Sequence, residues 1–230
     1  MIHVFGTPRP PVPRLAAALA ARGHQLAAGG PSGDAGPSTL VLGGGVALDP
    51  AALGVLLGAW SRTARARVLV VTDLGTHRDA RSPALRAMWD LEETVRALPL
   101  PSLVLRLAPL VGPGSPLWLR LRSRPRLPDQ GRAFVQPVAE DDVIETLDRA
   151  LRETRAWEGW YEVAGHAVLT LAELAALAAA AGPPLNGDAG AWEPPAAEMA
   201  EHRIAEPAPW IERFGVQPAS IVERSAAWAA

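Results

Sequence analysis

Short apolar runs alternate with helix-patterned segments through the first 112 residues, and that rhythm restricts the chain to one kind of architecture. Ile2–Phe5, Gln25–Ala28, Thr39–Leu42, Val68–Thr72 and Ser102–Leu107 have the length and composition of buried strands. Between them lie three helical patterns. Val12–Arg22 is rich in Ala and Leu and stops at Gly23. A second helix opens on Asp49-Pro50, a capping residue followed by proline at the first helical position, and runs to about Ala64. A third, from about Pro83 to Ala97, carries Leu85, Met88, Trp89, Leu91 and Val95 near helical spacing. Strands separated by helices pair in parallel, so the expectation is an α/β, doubly wound parallel sheet covered on both faces.

Beyond Gly112 the rhythm changes. Leu117–Arg126 is arginine-rich and amphipathic, Asp141–Glu153 reads as a helix and Trp160–Ala164 as a strand. Thr170 and Glu173 have capping-box spacing and open a helix that ends near Gly182. Pro183–Pro195 is linker-like, and short helices are expected around Pro209–Phe214 and Ser220–Ala229. The expected division is a nucleotide-binding-type core over 1–112 and a smaller substrate or partner lobe over 113–230, interleaved in a single compact unit.

Composition then removes whole classes of chemistry. The 22 basic residues are all arginine, there is one tyrosine, Tyr161, and there is no cysteine. Thiolate nucleophiles, cysteine metal sites, Schiff bases and a Walker A phosphate loop are thereby excluded. A net charge of −2 argues against a general nucleic-acid binder. No run approaches the ~20 apolar residues that span a bilayer. Nothing at the N-terminus resembles a signal peptide, so no membrane insertion and a cytoplasmic location are expected. His166 and His202 have no partners at ligand spacing, so no metal site is expected.

Several segments in a shared order resemble the extended and atypical short-chain dehydrogenases, the branch that holds NAD(P)-dependent epimerase-like proteins and a nucleotide-binding accessory subunit of respiratory complex I. They are Arg22-Gly23-His24, Arg67–Gly75, Val104–Gly114, Gln136–Val143 and Trp160–Gly165 with Thr170 and Glu173. The resemblance implies a Rossmann-like fold with a small C-terminal lobe, and a dinucleotide held by a glycine-rich first turn. It also makes this chain a degenerate member.

The family's three glycines fall on Gly6, Arg9 and Val12, so one survives. Pro10, Pro11 and Pro13 remove N–H donors from the same turn. Arg9 offers a guanidinium instead. The second strand runs into Ala27-Ala28-Gly29-Gly30 without the acid or base that holds a ribose. Only the ten residues Gly29–Ser38 precede the next strand, fewer than the dozen or so a parallel crossover needs, so the sheet is expected to be trimmed on the adenosine side. The family's catalytic Tyr and Lys fall on Ala84 and Met88, and its Ser/Thr on Thr72 or Asp73. An alanine and a methionine neither polarise a carbonyl nor relay a proton.

The candidate catalytic residues that remain are Asp73 and His77, as an acid–base pair on the loop after the Val68–Thr72 strand, and Arg106, as an electrostatic clamp. A structural alternative for Arg106 is a bridge to a carboxylate such as Asp141 or Asp142. Candidate cofactor contacts are Gly6, Thr7, Arg9, Gly43, Gly44 and Thr72; candidate pocket residues are Ala84, Met88, Trp89 and Trp118. Three readings follow. The first is a ligand-binding or assembly protein without standard redox catalysis and without a cofactor, its partner a small molecule or a protein. The second is a cofactor-independent lyase, cyclase or isomerase that reuses the old pocket. The third is an NAD(P)-dependent oxidoreductase with atypical catalytic residues.

Overall fold

A computed structural model describes residues 2–5, 12–27, 39–43, 50–63, 65–182 and 199–228. The first half alternates as the sequence expects: β1 (Ile2–Phe5), α1 (Val12–Ala21), β2 (Leu26–Ala27), β3 (Thr39–Gly43), α2 (Pro50–Ser61), β4 (Arg67–Asp73), α3 (Pro83–Arg96) and β5 (Ser102–Leu107). The second half runs β6 (Leu110–Val111), α4 (Pro116–Arg122), β7 (Phe134–Val135), β8 (Val138–Ala139), α5 (Glu140–Arg152), β9 (Trp160–Val163), β10 (Leu169–Thr170), α6 (Leu171–Ala180), α7 (Ala208–Phe214) and α8 (Ile221–Ala227).

The main sheet has the order β2-β1-β3-β4-β5-β9, and every pair in it is parallel. The chain is therefore a doubly wound, Rossmann-like α/β fold. Its two faces follow from the period-2 alternation of a strand. Val41, Leu69, Val71, Leu103, Leu105 and Leu107 point to one face, where they pack with Leu15 and Leu19 of α1, Val143 and Leu147 of α5, and Trp210 of α7. Leu40, Leu42, Val68, Val70 and Val104 point to the other, against Leu53, Leu57 and Trp60 of α2 and Leu91 and Val95 of α3. Burial on both sides explains why these strands read as unbroken apolar runs.

β2 is two residues long and forms the edge of the sheet among the described residues. The segment 28–38, on which the trimming was expected, lies outside them. At the opposite edge β9 returns from the second half of the chain to pair with β5. A third apolar cluster, built around Trp118, Leu121, Val135, Leu171, Leu174 and Ile221, joins α4, α6 and α8 to β7.

Local signals account for several boundaries. Thr170 Oγ1 accepts the Glu173 N–H at 3.1 Å and the Glu173 carboxylate accepts the Thr170 N–H at 2.7 Å, a complete capping box at α6. Gly215 ends α7 in the left-handed region, φ 67°. The arginine-rich segment stays helical only to Arg122, and Arg124 takes φ 56° just past the helix end. At the amino edge of the sheet Arg67 donates to Thr39 Oγ1 and to the Leu151 and Glu153 carbonyls at the end of α5. Its guanidinium lies 4.0 Å over the Trp157 ring, so one side chain ties the start of β4 to a helix terminus.

Candidate active site at the carboxyl edge of the sheet

Ligands of open α/β sheets bind outside the carboxyl ends of the strands. Here β4 ends at Asp73, the chain turns through Gly75 at φ 95°, and Ser82 precedes α3. The first turns of α3 press Leu85 and Met88 against the end of β4. Met88 Sδ accepts the Asp73 N–H at 3.4 Å and lies 3.8 Å from Thr76 Oγ1. The Thr76 hydroxyl has one proton and gives it to the Asp73 carbonyl, 2.7 Å away. Half-buried Ala84 stands one helical turn before Met88. This corner therefore contains a methyl group and a thioether, and neither exchanges a proton at neutral pH.

A segment from the far end of the chain crosses the same corner. Residues 201–206 alternate between half-buried Glu201, Arg203 and Ala205 and exposed His202, Ile204 and Glu206. The Glu201 carboxylate accepts the Ser82 N–H at 3.0 Å. Arg203 N–H donates to the Phe134 carbonyl at 2.8 Å, and the Arg203 carbonyl accepts from Gln136 N–H at 3.1 Å. His202 Nδ1 accepts the Phe134 N–H at 3.0 Å, with its ring stacked on Phe134. Gln136 completes the attachment, accepting from Ala205 N–H at 2.9 Å and donating to the Gly165 carbonyl at 2.6 Å. Asp73 is half-buried, and burial pushes its carboxyl pKa up, opposed by the positive charge of Arg203.

Behind the corner lies a buried ionic cluster. Glu92 is fully buried on α3 and receives Arg106 Nη2 at 2.6 Å, Arg106 Nε at 3.1 Å and the Thr72 hydroxyl at 2.6 Å. The guanidinium of Arg106 is also 4.5 Å from the Trp160 ring and 5.6 Å from the Trp89 ring. Neither Asp141 nor Asp142 pairs with Arg106, and parity gives the reason. Arg106 shares the face of Val104 toward α3, whereas those aspartates open α5 on the opposite face. Asp142 instead accepts the Ala219 N–H at 2.8 Å.

The other sequence candidates divide. The expected pairing of Asp73 with His77 is not formed. His77 is exposed, and its Nδ1 accepts the Asp79 N–H at 3.1 Å, because the tight turn after Gly75 points the ring away from β4. Thr72 is buried and its hydroxyl is committed to Glu92. Trp89 and Trp118 do not share a pocket: Trp89 packs beside His77, whereas Trp118 is buried in the lobe against Trp228. Gly43 is the buried last residue of β3, beside Val71. Gly6, Thr7, Arg9 and Gly44 lie outside the described residues. The single tyrosine, Tyr161, is on the far face, edge-on to Phe214 at 5.4 Å.

Sequence reasoning missed Glu92, Glu201, Arg203 and the pair Arg14–Glu140. Arg14 in the first turn of α1 is bidentate on Glu140 at 2.7 and 2.9 Å, and its guanidinium lies against Gly114, where a Cβ would collide with it. Glu92 did leave a signal, since a carboxylate falling on the apolar stripe of Met88, Leu91 and Val95 requires a buried partner.

No protein-family model and no curated protein sequence matches the chain. Solved structures do. A UDP-glucose 4-epimerase from Thermotoga maritima, in complex with UDP-glucose, is 13% identical with a TM-score of 0.68 over 100% of this chain and 97% of that one. A short-chain dehydrogenase/reductase superfamily protein from Agrobacterium tumefaciens with bound NAD is 12% identical, TM-score 0.66, over 100% and 96%. MoeE5, in complex with UDP-glucose and NAD, is 15% identical, TM-score 0.69, over 99% and 97%. At these identities the likeness establishes the fold, which is that of the short-chain dehydrogenases and NAD-dependent epimerases.

The fold family implies a nicotinamide cofactor, and the two positions that the sequence resemblance gives to its Tyr and Lys do not fit a proton relay. Ala84 and Met88 supply no hydroxyl or ammonium, and the Thr72 hydroxyl is spent on Glu92.

Proposed function

We propose that this chain, built on the fold of NAD-dependent epimerases, binds a small anionic ligand at the carboxyl edge of its sheet and carries out no Tyr–Lys hydride transfer. One observation carries the reading: the Met88 thioether, paired with the Asp73 N–H, fills the corner beside Ala84 where proton-relay groups would be needed. Asp73, Glu201 and Arg203 are charged groups that the fold brings to that corner, and Arg203, whose positive charge acts on Asp73, is the proposed contact for a phosphate or carboxylate.

The structural neighbours hold NAD and UDP-glucose, which makes nucleotides the ligand class to test first and lends no support to the expectation of a cofactor-free protein. The experiment is a calorimetric titration with NADH, NADPH and UDP-glucose, after denaturing extraction has shown whether a nucleotide copurifies. Saturable binding of at least one is expected, weakened about tenfold or more by Arg203→Ala, on the scale of a charge-assisted hydrogen bond. Absence of binding by all three, or equal binding by the Arg203→Ala variant, would refute the assignment.

A second reading is supported by Asp73 itself. A carboxyl whose pKa is raised by burial at a strand end is suited to general acid–base work, which favours a cofactor-independent lyase or isomerase over a passive binder. Loss of turnover in Asp73→Asn with ligand affinity retained would single out that reading.

A further inference from the structure

β9 closes the main sheet on one side, and among the described residues no further strand pairs with it. Its inner row of backbone groups is fixed by β5: the Gly159 carbonyl accepts the Val104 N–H at 3.1 Å and the Val163 carbonyl accepts the Ala108 N–H at 2.9 Å. Backbone groups of successive strand residues point to alternate sides, so Gly159, Tyr161 and Val163 face β5 while the N–H and C=O of Trp160 and Glu162 face outward. An outward row of this kind is a template for another strand, and proteins commonly blunt it with proline or lysine. Trp160–Val163 contains neither. α7 packs on the opposite face of the strand, where Phe214 meets Tyr161, and not along its edge.

The side chains beside that edge have a definite chemistry. Glu162 is the register partner of Arg106, and the Arg106 guanidinium lies 4.5 Å over the Trp160 ring, so both residues share the face of Arg106. Trp160 is nonetheless 49% exposed. Next to it, half-buried Glu162 accepts the Glu206 N–H and is repelled by the like charge of the Glu206 carboxylate. The charge of Arg106 also reaches Glu162, but its hydrogen bonds are given to Glu92. Glu158, exposed two residues before Trp160, is a third carboxylate. Among the surrounding arginines, Arg96 is bound to Glu93 and Arg213 to Glu153, and Arg155 is exposed on the approach to β9. The edge therefore combines a bare indole, unpaired backbone groups and an excess of acid.

We propose that the outer edge of β9 docks an extended, basic segment of another protein, its backbone pairing with Trp160 and Glu162 and an arginine or lysine side chain lying on the Trp160 ring beside Glu162 and Glu206. Strand addition supplies affinity through main-chain bonds and specificity through alternate side chains. A cationic side chain stacks on an indole and offsets the repulsion between the two carboxylates, so one partner residue answers both features. The inference does not depend on the ligand proposed above, and its test contains no nucleotide.

The probe is an end-capped, fluorescein-labelled heptapeptide of alternating arginine and valine, titrated with the protein and followed by fluorescence anisotropy. Saturable micromolar binding is expected, at least about tenfold tighter than for the same peptide with glutamate in place of arginine. Trp160→Ala is expected to weaken it about tenfold, as truncation of an interface aromatic does, and N-methylation of alternate peptide amides about tenfold through the lost edge bonds. The double variant Glu162→Gln, Glu206→Gln removes charge but keeps an acceptor for the residue 206 N–H, and is expected to cost about fivefold. It leaves the Trp160 ring over Arg106, so the test stands even where Trp160→Ala fails to fold. Absence of binding, equal affinity for the two peptides, or undiminished affinity in the double variant or with the methylated peptide overturns the proposal. So does a dimer of the chain alone in sedimentation that Trp160→Ala abolishes, because the edge would then belong to a second copy.

Discussion

Replacing Glu92 by glutamine is expected to destabilise the folded chain by about 3–5 kcal/mol, the range found when one partner of a buried ion pair is removed. Glu92 is 0% exposed and Arg106 7% exposed, so the guanidinium left behind loses its hydrogen-bonded carboxylate and keeps only Glu162, in register beside it on β9, as a neighbouring charge. The Thr72 hydroxyl loses an ionised acceptor in the same substitution. The cost belongs to the orphaned charge rather than to the pair. A triple variant Glu92→Leu, Arg106→Met, Thr72→Val is accordingly expected to recover most of it, because apolar groups of similar size can replace a buried ion pair at little net cost. Guanidinium or urea unfolding of the three proteins measures both effects. A single-variant loss below about 1 kcal/mol, the scale of a solvated pair, would show that water reaches Arg106 and reopen its assignment as a ligand-facing clamp.

Gly165→Ala is expected to cost about 3 kcal/mol or more, at the upper end for overpacking, and to lower the melting temperature by roughly 10 °C. A Cβ at this position would fall inside contact distance of the Pro137 carbonyl oxygen, and that neighbour is backbone, which cannot rotate aside. Gly165 sits where β9 ends and where Gln136 fastens the crossing segment to the sheet, so the strain would reach the candidate site as well. Gly54→Ala is the control. It lies exposed within α2 with open space at its Cβ, and should stabilise by about 0.5–1 kcal/mol from helix propensity alone. Thermal and chemical denaturation of both variants gives the comparison, and near-equal stabilities would contradict the packing described at Pro137.

The fold was readable because its signals are local and repeated. Val68–Thr72 and Ser102–Leu107 are apolar on both faces, the glycine after α1 and the capping box at Thr170 are short-range, and each lies within two residues of the observed boundary. The site was less readable because it is assembled from distant segments. Arg203 and Glu201 are more than a hundred residues from Asp73 and Ser82, and the stretch around them carries no periodic apolar pattern. The structural alternative for Arg106, a bridge to a carboxylate, is the arrangement observed, with Glu92 rather than Asp141 or Asp142 as the partner. Assigning Asp141 or Asp142 ignored strand parity, which turns Arg106 toward α3 and leaves those aspartates behind the sheet. Asp73, expected on the loop after Val68–Thr72, is the last residue of β4, and beyond the turn through Gly75 the His77 ring accepts the Asp79 N–H instead. The absence of a Tyr–Lys pair needs no geometry at all, since a chain without lysine cannot form it.

The proposed function is ligand binding at the carboxyl edge of a dehydrogenase fold without Tyr–Lys hydride transfer. It is tested most directly by incubating the protein with NAD+ and UDP-glucose deuterated on its sugar carbons, followed by mass spectrometry of the recovered nucleotides. No deuterium on the nicotinamide and an unchanged sugar are expected, because Ala84 and Met88 supply no proton relay. Deuterated NADH, or label returned to a rearranged sugar, would contradict the account and show that another group in this chain performs the missing proton transfer.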